Sequence, residues 1–443
     1  MKKHFLLPFV LIFTVINMVP VFADYTALKP IPIQSAEIAP ETAADSAIVI
    51  NADTGDIIYG KNIHKKQYPA SITKLMTVLL TLENGNTGDI MTFSHDAVFS
   101  IERNSNHIAI DVGEELSVAD ALYAVMLESA NEVANGLAEY ISGDMDTFAS
   151  LMTSRAKELG AKNTNFTNAN GLHDDNHYTT AYDMALIAKE LLKFDIFKDV
   201  AKTVSYQIQP TNLQPEVRYM NMQNKMVIPS SPYYYEYCIG GKTGFTDQAL
   251  NTLVTYAEKD GMTLICVVLN ENGAPLTYKD SAAFFDYAFN NYKTVSVFSA
   301  EGYTTTVKCG SDPITLKADR DFYTTLPKGA NASDVQKKFV CPEVVSGPVS
   351  KGDIIGNIEF YYNGVSLGKV NLVADTASAA AASARVSKPA FSAKSLVLPA
   401  VIIVIAIIVF IILCNELNYR KKRAKRRKRL EELKNTDKAL KRR

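Results

Sequence analysis

YPASITKLMTVLLTLE, residues 68–83, is the stretch on which the fold turns. Tyr68-Pro69-Ala70 ends an extended segment, because proline restrains the residue before it to extended backbone. From Ser71 onward the apolar residues recur at helical spacing with few breakers, so a buried helix begins there. Immediately upstream, Ala47-Ile48-Val49-Ile50 and Ile57-Ile58-Tyr59 flank Asp53-Thr54-Gly55-Asp56, a hairpin signal. A hairpin leading into a buried helix sets the entrance to the domain.

Downstream comes a helix-rich block. Ser117 caps a helix over Val118–Leu127, residues 129–141 continue helically, and 146–159 and 180–194 are amphipathic. The last opens on Thr180-x-x-Asp183, a variant of the capping box. From Thr203 the pattern turns to strands. Cys238–Phe245, Thr252–Ala257 and Met262–Leu269 are short β-rich runs, and Lys279–Tyr292 closes the region as a helix. Helices set between early and late strands predict an α/β (α+β) domain over residues 46–295 whose sheet is mostly antiparallel. Residues 300–374 carry short Thr/Val/Ile runs and the hairpin signal Tyr361-Tyr362-Asn363-Gly364-Val365, which predict a small all-β domain.

The ends of the chain carry targeting signals. Residues 1–23 run from Lys2-Lys3 through an apolar core to Val21-Phe22-Ala23, the order of a secretory signal peptide cleaved after Ala23. Residues 24–45 form a Pro/Ala/Glu-rich linker, and 375–395 a low-complexity stalk. Residues 396–414 carry no charge; as a helix they span about 28 Å, close to the hydrocarbon thickness of a bilayer. The 415–443 tail carries a net +10 and belongs on the cytoplasmic side. The expected location is the cell membrane, single-pass, with the ectodomain outside. The leader adds +2 to a chain whose net charge is −1, so residues 24–414 carry −13, which argues against nucleic acid as a partner. The five cysteines show no metal-like spacing. Cys238 with Cys266 and Cys309 with Cys341 either pair in an oxidising compartment or stay as buried thiols.

Three short motifs follow one another: Ser71-Ile72-Thr73-Lys74, Ser129-Ala130-Asn131 and Lys242-Thr243-Gly244. Each alone is weak; in this order, in an exported chain, they are specific. Ser71 and Lys74 lie one helical turn apart on one face. A serine hydroxyl needs a base to become a nucleophile. A lysine serves as that base when burial and a second cation, here Lys242, depress its pKa. Free backbone N–H groups at a helix start favour developing negative charge. Ser129 would pass a proton to the leaving amine and Asn131 would bind the substrate amide. Lys242 and Thr243, on a strand that pairs with an extended peptide, would hold a terminal carboxylate, with Gly244 permitting close approach.

Residues 46–295 resemble the serine-type D-alanyl-D-alanine carboxypeptidases, the low-molecular-weight penicillin-binding proteins. AIVINADTGDIIYGKN, PASITKLMTVLLTLE, ESANEVANGLAEY, FTNANGLHDDNHYTTAYDMALIAKELL, GGKTGFT and YKDSAAFFDYAF carry the likeness. The resemblance implies a serine β-lactamase/transpeptidase-like catalytic domain with a helical subdomain, then a small all-β domain and one C-terminal membrane helix. It implies an acyl-enzyme on Ser71, Lys74 as general base, Ser129 and Asn131 in proton relay and substrate contact, and Lys242 on the terminal carboxylate. By the same likeness the backbone N–H groups of Ser71 and Phe245 form the oxyanion hole. The implied partners are stem peptides ending in D-Ala-D-Ala, and β-lactams; no cofactor is implied.

Rival activities meet specific objections. Between Gly160 and Asp183 no Glu is present to deacylate a penicillin rapidly, against a β-lactamase. A P-loop needs glycine where Glu236 stands, and no G-x-S-x-G elbow occurs. His173-Asp174-Asp175-Asn176-His177 lacks companion metal ligands and is expected to be a polar loop. The sequence does not exclude a D,D-endopeptidase acting on cross-links, while the intact triplets count against a non-catalytic sensor of the same fold.

Overall fold

The computed structural model describes residues 28–378, apart from positions 32, 34, 36 and 311. The expected leader, membrane helix 396–414, basic tail and Cys414 lie outside the described residues, as does the expected stalk beyond residue 378. No described helix is long and apolar enough to cross a membrane. One compact unit takes in the chain up to Val307 with Pro313–Glu343 and Ser350–Thr376. In the second, Lys308–Cys309 pair in parallel with Val344–Val345, and Val349 bridges Ser378.

The first unit is organised around a sheet of strands in the order Lys29–Pro30, Asp56–Lys61, Ser46–Asn51, Met262–Glu271, Leu250–Lys259, Cys238–Thr246. Every pairing is antiparallel except the first. Residues 28–31, expected as linker, thus dock on the sheet, with Leu28 and Ile31 buried. Side chains alternate across the strands. Ile48, Ile50, Ile265 and Val267 enter one apolar core, while Ala47, Val49, Leu264, Cys266 and Val268 enter another. Both faces are covered, which is why all six residues of Ser46–Asn51 are buried.

On the first face lie the helices α1 (Lys74–Asn84), α2 (His95–Phe99), α3 (Val118–Tyr123), α4 (Asn131–Ser142), α5 (Met145–Glu158), α6 (Ala181–Leu191) and α7 (Asp195–Lys202). On the other lies α8 (Ala274–Asn291), which buries Phe284, Phe285 and Ala288 against the sheet. Helix α1 is buried all round from Lys74 to Thr81, the condition of a core helix. The expected caps are in place: Ser117 Oγ accepts from Asp120 N, and the Thr180 side chain from Asp183 N. Helices α2 and α7 were not anticipated; both are short.

The expected helix over 118–127 changes character half-way. After α3 the backbone widens into a π-helical turn, Ala124–Glu128, and ends on Ser129 in the left-handed region (φ 61°, ψ 30°). Helix α4 therefore begins at Asn131, not Ser129. Such turns collect at functional sites because they aim side chains that a regular helix would not.

Within the same unit Tyr292–Phe298 pairs with Phe322–Pro327, and Gln336–Val340, Ile354–Tyr362, Val365–Ala374 and Leu316–Ala318 form antiparallel neighbours. The expected Asn363-Gly364 turn joins two of them, both residues taking positive φ (49° and 79°). Phe322 and Phe360 stack at 4.1 Å in its core. The hairpin tip at 51–56 is pinned here: Asn51 Nδ2 donates to Thr294 and Thr325 hydroxyls, each at 2.9 Å. The four described cysteines are free thiols; Cys266 faces Ser281 and Cys238 faces Thr255.

Candidate active site

Ser71 lies in a 3-10 turn, Ala70–Thr73, from which α1 continues at Lys74. The turn is tight because Ala70 takes positive φ (51°) and its carbonyl faces Gly171. A Cβ on Gly171 would stand 2.0 Å from Ala70 O, so only glycine permits this approach. Lys74 projects back beneath the turn, its Nζ 3.1 Å from Ser71 Oγ. It is wholly buried and donates to Asn131 Oδ1 and to the Asn170 carbonyl, each at 2.6 Å.

Burial holds the Lys74 amine well below its ordinary pKa; the Lys242 charge pushes the same way and the Glu132 carboxylate opposes. A neutral amine has two protons and one lone pair. Asn131 and Asn170 take the protons, which leaves the lone pair for the Ser71 hydroxyl. The arrangement can deprotonate a serine.

Lys242-Thr243-Gly244 sits on the Cys238–Thr246 strand, at the edge of the sheet. Gly244 meets the Ser71 turn directly: a Cβ there would lie 2.8 Å from Ser71 N and 3.1 Å from Ile72 N. Thr252 fastens the neighbouring strand to the same turn by donating to Pro69 O at 2.8 Å. Lys242 is buried, and its Nζ donates to Thr243 O. Burial brings its pKa down to about 7, with Glu128 opposing. Thr243 is half-buried and Phe245 is 59% exposed at the rim.

Ser129 ends the π-helical turn and Asn131 opens α4. Ser129 is buried and its Oγ has no hydrogen-bond partner among the described residues. The loop before them is tied to this turn, with Asn131 N donating to Asn106 O and Asn106 Nδ2 to Glu128 O. Ser71, Lys74 and Asn131 are joined by hydrogen bonds, Gly244 lies against the Ser71 amide, and the charge of Lys242 is felt at Lys74.

Two contributors were missed as site residues. Asn170 acts through its carbonyl, and its side chain bonds Asn135 Oδ1 and Leu172 N. Gly171 makes the close approach described above. Both lie in the FTNANGLH stretch, where the Asn-Gly pair was the available signal. In the polar loop that follows, His177 points inward. Its Nδ1 accepts from Thr167 N at 3.1 Å, so the proton sits on Nε2 and is donated to Thr73 Oγ1 at 2.8 Å. Burial takes its pKa down to about 4. His173 instead meets the ring edge of Tyr68.

The D-alanyl-D-alanine carboxypeptidase family profile matches residues 33–273, more than half of the chain. This chain belongs to the D-alanyl-D-alanine carboxypeptidase family. The profile of the penicillin-binding protein 5 C-terminal domain matches residues 292–379 of this carboxypeptidase. The D-alanyl-D-alanine carboxypeptidase DacF of Bacillus subtilis is 31% identical over 359 residues, covering 80% of this chain and 90% of DacF. Penicillin binding protein 5 of Haemophilus influenzae superposes with a TM-score of 0.68 at 26% identity, covering 76% of this chain and 98% of that one. A mutant of the Streptomyces K15 DD-transpeptidase gives 0.53 at 26% identity, covering 56% and 99%. The fold is thus the penicillin-binding-protein α/β catalytic domain with a C-terminal all-β domain, and the enzyme is a serine-type hydrolase.

Proposed function

We propose that this carboxypeptidase removes the terminal D-alanine from stem peptides ending in D-Ala-D-Ala, with Ser71 as nucleophile and Lys74 as its base. The observation that carries the reading is the buried amine of Lys74, 3.1 Å from Ser71 Oγ with its other donors engaged. Lys242 and Thr243 hold the terminal carboxylate, and Asn131 orients the amide. Ser71 Oγ attacks the carbonyl carbon of the penultimate D-alanine while its proton passes to Lys74 Nζ. The backbone N–H groups of Ser71 and Phe245 stabilise the resulting oxyanion. The C–N bond breaks as the Ser129 hydroxyl delivers a proton to the departing amine and is reprotonated from Lys74. Water, deprotonated by Lys74, then attacks the acyl carbon, and the ester bond to Ser71 breaks as Lys74 returns that proton to Ser71 Oγ.

A penicillin enters the same first step. The loop presents a backbone carbonyl to Lys74 at Asn170, not the carboxylate a class A β-lactamase uses for deacylation, which supports slow release. The export signal at 1–23 and the apolar span at 396–414 support a cell-membrane enzyme facing outward, with the basic tail inside.

The test is D-alanine release from a D-Ala-D-Ala pentapeptide, beside covalent labelling by a fluorescent penicillin. Wild type should do both and Ser71→Ala neither. Absence of D-alanine release, with cleavage of cross-linked dimers in its place, would replace this reading by the endopeptidase.

A further inference from the structure

The open edge of the Cys238–Thr246 strand sets the direction in which a bound peptide runs. Helix α7 packs on the face of the strand at Gly240, where an added Cβ would meet Ala201 at 2.7 Å. With the terminal carboxylate at Lys242 and Thr243, and the reacting carbonyl opposite Gly244 beside Ser71, the acyl half must continue past Phe245. Each strand residue advances about 3.3 Å. The side chain of the residue preceding D-Ala-D-Ala then reaches the level of Thr246–Gln248.

A cavity of about 420 Å³ opens there, lined by Lys66, Gln67, Tyr68, Asp175, Tyr178 and Gln248. Its parts come from four segments: the approach to Ser71, the loop carrying Asn170, the turn after Lys-Thr-Gly, and Asn270 at the end of the Met262–Glu271 strand. The 67–68 and 178–179 walls are joined by the Gln67–Thr179 backbone bridge. Lys66 Nζ rests 3.7 Å above the Tyr178 ring, while Asp175 pairs with His173 at 3.4 Å. The two opposite charges are engaged by different neighbours, and both line the same space.

We infer that this cavity receives the third residue of the stem peptide, and that it selects a diamino dicarboxylic acid over a simple diamine. The inference rests on the peptidase reading above. The Tyr68 and Tyr178 rings pack against the aliphatic stem. At its end, the ammonium meets Asp175 and the carboxylate meets Lys66, as a zwitterion fits paired charges. Both residues are solvent-accessible, so each contact carries a modest factor.

The experiment compares kcat/KM for D-alanine release from three pentapeptides, whose third residue is diaminopimelate, its side-chain amide, or lysine. Wild type is expected to favour the free diacid about threefold to fivefold over the other two. Lys66→Gln should bring the three within about twofold of one another. Asp175→Asn should lower all three, and acetylating the side-chain amine should lower wild type similarly. The ratio between peptides is the readout because a folding defect scales all rates alike. Equal wild-type turnover of the three peptides, or a preference that survives Lys66→Gln, overturns the inference and leaves the carboxypeptidase standing. Release from no peptide overturns the peptidase reading and the inference with it.

Discussion

Replacing Gly244 with alanine tests whether the Lys-Thr-Gly strand and the Ser71 turn are held in contact for catalysis. The added methyl would lie 2.5 Å from Thr252 Oγ1, 2.8 Å from Ser71 N and 3.1 Å from Ile72 N. Ordinary contact begins near 3.4 Å, so the Ser71 amide must retreat by about 0.6 Å and that of Ile72 by about 0.3 Å. Thr252 has little freedom to yield, because its hydroxyl is bonded to Pro69 O. Catalytic groups tolerate about 0.5 Å, and a displacement of about 1 Å costs on the order of a hundredfold. We expect Gly244→Ala to acylate with fluorescent penicillin ten- to a hundredfold more slowly. Overpacking should also cost about 1–3 kcal/mol of stability. Gly261→Ala is the control: its φ is +75° and nothing lies within 4 Å of the added methyl. That variant should lose stability while acylating at the wild-type rate. An acylation rate for Gly244→Ala within twofold of wild type would refute the steric argument.

Three further outcomes follow from the same geometry. Lys242 loses its proton near pH 7, so kcat/KM for D-alanine release should decline on the alkaline side from about that pH; Lys242→Arg, charged at all these values, should move the decline upward by more than one unit. His177 has a folded pKa of about 4 against 6.5, so the unfolded chain takes up a proton first as pH falls. Its contribution, complete above 6.5, should therefore be lost between 6.5 and 4, by about 3 kcal/mol in all; urea titrations of wild type against His177→Gln across that window should show a shallower pH dependence in the variant. Asn51→Ala removes the two donations to Thr294 and Thr325, and should cost about 1–3 kcal/mol in thermal unfolding while D-alanine release from a soluble peptide stays at the wild-type rate.

What the sequence determined by itself was the set of local features. The 46–61 hairpin, the caps at Ser117 and Thr180 and the Asn363-Gly364 turn depend on residues a few positions apart, so their patterns are visible along the chain. The Ser71–Lys74 pairing belongs to the same class, three residues apart in one turn. Tertiary structure alone decided the rest. The carbonyl that takes a proton of Lys74 comes from Asn170, 96 positions away, and a backbone atom leaves no side-chain signature. The π-helical turn and left-handed Ser129 run against the helical periodicity of their own segment, and are held by contacts with Asn106 and Asn221. Lys29–Pro30, polar and short, becomes a strand only because the sheet presents a free edge beside it. Long-range packing overrides weak local preference wherever burial and hydrogen bonding outweigh it, and here that happens chiefly around Lys74.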